Sequence, residues 1–105
     1  MPEMTMRVRW PDGTLQDCYS PSLVLHDHLT PGTTYPVGDF VDRAGRALHE
    51  ASERVRAKYG VACTSAMGTL ADIHEHAAGH ADAAGVEVLT MLPPLPAAVQ
   101  GGGAR

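Results

Sequence analysis

The length, composition and charge of the chain exclude several classes of protein. It has 105 residues, enough for one domain with a modest core. The 12 acidic residues outnumber the 8 basic ones, and no basic stripe of the kind that nucleic-acid binders carry is present. No apolar run approaches the ~20 residues of a membrane-spanning helix. We therefore predict one soluble domain with no nucleic-acid or membrane partner.

The first residues carry no basic segment followed by an apolar one, so we read no secretory signal. This predicts a cytoplasmic protein whose two cysteines, Cys18 and Cys63, are free thiols. Their separation matches no CxxC motif, and two cysteines alone cannot complete a zinc site.

Two alternating segments at the start predict a β-hairpin. Residues 5–10 alternate apolar and polar side chains. In residues 14–19 the two faces of a strand would carry Leu15, Asp17 and Tyr19 on one side and Thr14, Gln16 and Cys18 on the other. Between them, Pro11, Asp12 and Gly13 favour a turn, because Pro presets φ, Asp bonds the nearby backbone and Gly accepts a positive φ. A loop and a short apolar segment of helical or irregular structure are expected to follow.

The clearest element is an amphipathic helix from about Asp39 to Tyr59, with Asp39 as its N-cap and Gly60 as its C-cap. Charges of alternating sign recur every four residues on one side, which is typical of a solvated face. One apolar stripe forms the other side. The stripe comprises Phe40, Ala44, Ala47, Leu48, Ala51, Val55 and Tyr59.

A second helix is predicted over about residues 65–80, and a strand over 86–92 with apolar residues on both of its faces. The Pro- and Gly-rich residues 93–105 are expected to be a disordered tail beyond a single domain at 1–92. The order of elements predicts an α+β fold, with a small antiparallel or mixed sheet and two helices on one face. Exposed sheet edges make a homodimer that extends the sheet plausible.

Histidines near the second helix raise the question of a metal site. His76 and His80 have the four-residue spacing of helical zinc ligands, and Asp72 could be a third ligand. However, HExxH is absent, and a polar helix flank explains the pattern more simply. We predict no resident metal or other cofactor, and keep these residues as the candidates for one.

The thiols and His26 are the candidates for covalent chemistry. Cys63 precedes the second helix, whose dipole would lower the pKa of a thiol there. Cys18 lies on the hairpin, and Asp27 could orient His26 as in hydrolytic triads. The alternatives are that each cysteine is a small buried hydrophobe and that the histidine belongs to an ordinary polar loop.

Several motifs together resemble a small bacterial family described as nitrogen starvation response proteins. They are Val8-Arg9-Trp10-Pro11-Asp12-Gly13, Cys18-Tyr19-Ser20-Pro21-Ser22, Tyr35-Pro36-Val37, Ala51 to Arg56 with Lys58-Tyr59-Gly60, and Cys63-Thr64-Ser65-Ala66. The resemblance covers Met1 to about Ile73. It implies a gene neighbourhood that includes a nitrilase, a radical-SAM protein and an AIR-synthase-like protein, linked to nitrogen limitation and cyanide assimilation.

The resemblance implies no reaction, but its segments favour one set of ligand-binding candidates. These are Cys18, Tyr19, Ser20, Ser22, Cys63 and Ser65. We predict an accessory or binding protein in preference to an enzyme, acting through proteins of the same nitrogen-metabolism cluster or a small ligand. The alternative is a small thiol-dependent enzyme acting on a nitrile-like or amide-like substrate.

Overall fold

A computed structural model describes residues 3–60 and 64–93 of the chain. The described part contains four strands and three helices. In chain order they are β1 (Met4–Arg9), β2 (Leu15–Ser20), α1 (Leu25–His28), β3 (Thr34–Pro36), α2 (Val37–Tyr59), α3 (Thr64–Ala77) and β4 (Gly85–Leu92). Among these residues, no helix has both the length and the apolar character needed to cross a membrane.

The strands form one antiparallel sheet in the order β2-β1-β4-β3. β1 and β2 make the predicted hairpin, and the Thr14 backbone N–H donates to Asp12 Oδ1 over 2.9 Å in its turn. Gly13 adopts the expected positive φ, at 91°. The α+β prediction is confirmed, with an entirely antiparallel sheet. Side chains of β1 alternate between buried and exposed, so the helices cover one face only.

A β-bulge changes which residues of β4 face the core. Arg7 pairs with Thr90, whereas Val8 pairs with Val88, so Leu89 is an extra residue on β4. The alternation of buried and exposed side chains that a regular strand has therefore breaks after Val88. Met91 is buried, and Thr90 lies on the exposed side. β4 lies inside the sheet, between β1 and β3, which accounts for the apolar residues on both of its faces.

The strand β3 was missing from the sequence-based prediction, which gave no strand between the short apolar segment and the long helix. It is only three residues long, and it pairs with the first residues of β4. Short strands of this kind carry too little periodicity to be recognised from sequence. Their pairing is provided by a neighbouring strand that lies far along the chain.

Helix α2 confirms the prediction of a long amphipathic helix, with two corrections. It begins at Val37, and its N-cap is Pro36, so the expected cap at Asp39 is wrong. Asp39 instead binds Arg43 one turn later, with Oδ2 2.8 Å from Nε. Tyr59 was placed on the buried stripe but is 59% exposed. The final turns of this 23-residue helix therefore leave the apolar layer before the helix ends at Gly60.

Helix α3 ends at Ala77, three residues earlier than predicted, and residues 78–80 form turns. It packs against α2 and over β2. Its C-terminal end reaches Trp10, whose indole stacks on the His76 and His80 rings at centroid distances of 5.5 and 5.8 Å. The predicted tail lies outside the described residues except for Pro93.

Candidate functional site

The serines at the end of β2 stabilise a turn. The Ser20 hydroxyl is fully buried and donates to the Ser22 carbonyl oxygen over 2.7 Å. It also accepts from the Ser22 backbone N–H over 3.3 Å. The Ser20 hydroxyl therefore acts as both donor and acceptor, and each hydrogen bond is made with a backbone group of Ser22. The contacts of Ser20 are those of a structural residue.

This role makes a direct prediction for Ser20→Ala. Removing the hydroxyl deprives two backbone groups of Ser22 of their partner, which costs about 1–3 kcal/mol of unfolding free energy. Urea denaturation followed by circular dichroism measures the loss. Ser65→Ala is the matched control, because Ser65 is exposed in the first turn of α3 and should change stability by no more than ~0.5 kcal/mol. Equal stability of the two variants would contradict a structural role for Ser20.

Cys18 is fully buried on the helix-covered face of the sheet. Burial, with smaller contributions from the negative charges of Asp17 and Asp72, raises the pKa of its thiol to about 12. The thiol is therefore protonated at neutral pH, which is the opposite of what a nucleophilic cysteine requires. Within the described residues, Cys18 behaves as part of the core.

The remaining predicted ligand-binding residues do not all lie beside Cys18 and Ser20. Tyr19 follows Cys18 on β2 and therefore points to the opposite face, where its hydroxyl donates to Glu3 Oε1 over 2.9 Å. Cys63 lies outside the described residues, so a pocket that includes its thiol stays a prediction. Ser65 is exposed on α3.

The histidines of α1 diverge, as expected for a helical segment. A ring N–H of His26 donates to the Pro93 carbonyl oxygen, with Nε2 at 3.0 Å. His28 Nε2 lies 3.3 Å from Glu50 Oε1 on α2, and Arg54 binds the other oxygen of Glu50 over 2.8 Å. Glu50, one of the alternating charges predicted on α2, therefore also links α1 to α2 through His28. Nothing in the sequence pattern pairs His28 with a residue so far along the chain.

The metal candidates face different surroundings. His76 and His80 both present a ring face to Trp10, and His80 Nε2 is 4.0 Å from Asp12 Oδ2. Asp72 lies near Cys18 and contributes to its raised pKa. Across residues 3–60 and 64–93, no group of three or more His, Cys, Asp or Glu side chains has the geometry to hold a metal ion.

In the part of the chain that the structure describes, one surface open to solvent is the uncovered face of the sheet. A shallow depression of about 280 Å³ there is lined by Thr5, Arg7, Asp17, Thr90 and Leu92. Arg7 Nε binds Asp17 Oδ1 across the strands at 2.8 Å. Leu92 is 60% exposed and Leu15, at the start of β2, is 54% exposed. We call this surface the open sheet face.

A second surface is a groove of about 580 Å³ on the side of α2 and α3 that faces away from the sheet. We call it the α2–α3 groove; it is lined by Gly38, Val41, Asp42, Gly45, Arg46, His49, Leu70 and His74. Sequence reasoning missed it. No local pattern marks it in the sequence, because the groove is formed by the packing of α2 against α3.

Comparison with known proteins identifies a family but no characterised relative. A family model described as "Nitrogen starvation-induced protein NitG" matches residues 5–91. Searches among curated proteins and among solved structures gave no match. The matched range includes all three helices and all four strands, apart from Met4 at the start of β1 and Leu92 at the end of β4.

Proposed function

Because this chain belongs to the family of nitrogen starvation-induced NitG proteins, we propose that it is a non-catalytic accessory protein of the nitrogen-starvation response that acts by binding a partner protein. The observation that carries the proposal is that three of the candidate residues in the described part of the chain have structural contacts instead of a free reactive group. Cys18 is buried and protonated, Ser20 holds a turn, and His26 binds a backbone carbonyl.

The open sheet face is the surface that we assign to this partner. Its depression, at about 280 Å³, lies just below the ~300–1,000 Å³ typical of small-molecule pockets. Charged side chains of this face are paired across the strands, Arg7 with Asp17 at 2.8 Å and Arg9 with Glu87 at 3.1 Å. Leu15 and Leu92 supply exposed apolar contacts beside these pairs. Apolar side chains surrounded by charged ones are typical of a protein–protein interface, in which the partner places apolar side chains on the leucines and polar side chains against the ion pairs.

Affinity capture with mass spectrometry tests the proposal in nitrogen-starved cells of the source organism. We expect tagged full-length chain to recover at least one enzyme encoded beside its gene. Thr90→Lys places a long charged side chain on the open sheet face without changing the core, because Thr90 is exposed on β4. This variant is expected to lose most of the recovered enzyme. Binding of the recovered enzyme is then measured with the purified pair.

Ala57→Lys is the matched control, since Ala57 is exposed on α2 and lies away from the sheet. It should recover as much enzyme as the unmodified chain. Failure to recover any neighbouring enzyme, or equal recovery with both variants, contradicts the proposal. In the first case the alternative is a thiol-dependent enzyme that relies on Cys63, because burial disfavours a thiolate at Cys18.

A further inference from the structure

No packing contact among the described residues requires a glycine in the α2–α3 groove. A Cβ added to Gly45 would meet only Leu70 Cδ1, at an ordinary contact distance of 3.7 Å. Alanine would therefore fit, and glycine inside a helix is about 1 kcal/mol less favourable than alanine. What glycine provides at this position is room for another backbone to approach α2 closely.

The charged residues around Gly45 have a symmetric arrangement. Asp42 precedes Gly45 by three residues, and His49 follows Arg46 by three. If two copies of α2 cross in opposite directions about a two-fold axis between Gly45 and Arg46, the Arg46 side chain of each copy lies over Gly45 of the other. Asp42 then faces the partner's His49, and the same contact repeats on the other side of the axis. An isologous interface requires this kind of self-complementary surface.

The His49 side chain is available for such a contact. It is exposed, and within residues 3–60 and 64–93 its side chain makes no hydrogen bond or ion pair. Asp42 binds Arg46 on the same helix, with Oδ2 3.2 Å from Nη2, and a carboxylate can accept further hydrogen bonds. The groove floor supplies apolar contact through Val41 and Leu70, both of which line it.

We propose that the α2–α3 groove binds the same groove of a second copy of this chain, with Gly45 at the crossing point and Asp42 against the partner's His49. This arrangement places the helices in the middle of the dimer and leaves both open sheet faces on its outside. It differs from the dimer predicted from sequence, which would extend the sheet through its edges. The inference does not rest on the proposed function.

Sedimentation velocity across a wide range of protein concentrations tests the dimer. We expect the full chain to associate to twice the mass of one chain. His49→Asp places carboxylates against each other at two symmetric positions and should raise the dissociation constant about tenfold or more. The double variant Asp42→His with His49→Asp restores opposite partners across the axis and should recover most of the affinity. Ala71→Asp, on an exposed position of α3 that does not line the groove, controls for added charge.

Gly45→Ala gives an independent readout that a folding defect cannot imitate. It should raise the melting temperature of the dilute monomer, because alanine favours the helix, and at the same time weaken the dimer. A chain that stays monomeric at all concentrations overturns the proposal. So does a dimer that His49→Asp leaves unchanged, which would point to association through the sheet edge or the open sheet face. A double variant as weak as His49→Asp also contradicts it.

Discussion

Trp10→Ala is expected to lower the free energy of unfolding by about 3–5 kcal/mol, the range for large aromatic residues removed from a core. Trp10 is 1% exposed and makes an edge-to-face contact with Phe40, at a centroid distance of 5.6 Å. Its indole N–H donates to Gln16 Oε1 over 2.8 Å. Alanine therefore leaves a cavity and frees two histidine rings from their stacking partner.

The size of this effect follows from where Trp10 lies. It is the residue at which the hairpin, α2 and the end of α3 meet, so its loss loosens contacts of three elements. A domain of this size has only about 5–15 kcal/mol of stability in total. Urea denaturation followed by far-ultraviolet circular dichroism is the appropriate measurement, because the variant lacks the only tryptophan of the chain.

Tyr59→Ala is the matched control for aromatic loss, since Tyr59 is largely exposed at the end of α2. It should change stability by no more than ~0.5 kcal/mol. Trp10→Phe keeps an aromatic ring in the core but removes the indole N–H, and we expect it to fall between the other two variants. A loss below 1 kcal/mol for Trp10→Ala, by the scale of core truncations, would show that Trp10 does not anchor these elements.

The second large effect concerns the reactivity of Cys18. In a Cys63→Ser background it is the only thiol, since the chain has two cysteines. Raising the pKa from 9.0 to about 12 leaves about a thousandfold less thiolate at neutral pH. Alkylation of the folded protein is therefore expected to be at least about a thousandfold slower than that of the urea-unfolded chain. Ellman's reagent or iodoacetamide, followed over time, gives both rates. Fast reaction in the folded state would show that Cys18 is accessible and would support the hypothesis that it is a nucleophile.

The same pKa shift predicts how stability depends on pH. Below the unfolded value of 9.0, both states keep the proton, and Cys18 contributes nothing to the pH dependence. Between 9.0 and about 12, the unfolded chain releases the proton while the folded chain retains it. This thiol therefore lowers stability by about 1.4 kcal/mol for each pH unit in that window.

Urea denaturation at pH values on both sides of the unfolded pKa measures this slope. Tyrosine and lysine side chains also titrate in the alkaline range, so the informative quantity is the difference from Cys18→Ala. That variant should lack the contribution of this thiol and lose stability less steeply as the pH rises. Parallel profiles for the two proteins would contradict the burial of the thiol.

Local periodicity was sufficient to identify the hairpin, the two long helices and the final strand. Each of these elements repeats its pattern several times within one stretch of chain. The end of α2 was also predicted correctly, because a glycine directly after the apolar stripe is typical of a helix C-cap. Gly60 has the expected positive φ, at 86°. The three-residue strand β3 and the bulge at Leu89 were not, since both depend on pairing with distant strands.

The candidate site was less accessible to sequence reasoning than the fold. Cys18 and Ser20 were singled out for their chemistry, yet their burial is decided by α3, which lies over β2. The alternation of a strand predicts that Tyr19 points away from them, but it does not say which face is covered. The sequence did not predict Gly45 and His49 as site residues, because the groove that they line forms only when α2 packs against α3.

The long helix, the hairpin and the α+β class were thus determined by the sequence itself, through short-range preferences that need no partner. Only the tertiary structure decided that His76 and His80 stack on Trp10, that the pKa of Cys18 is raised, and that one sheet face stays open. These properties arise from contacts between residues distant in sequence. Burial and electrostatics depend on that three-dimensional proximity, which no local pattern contains.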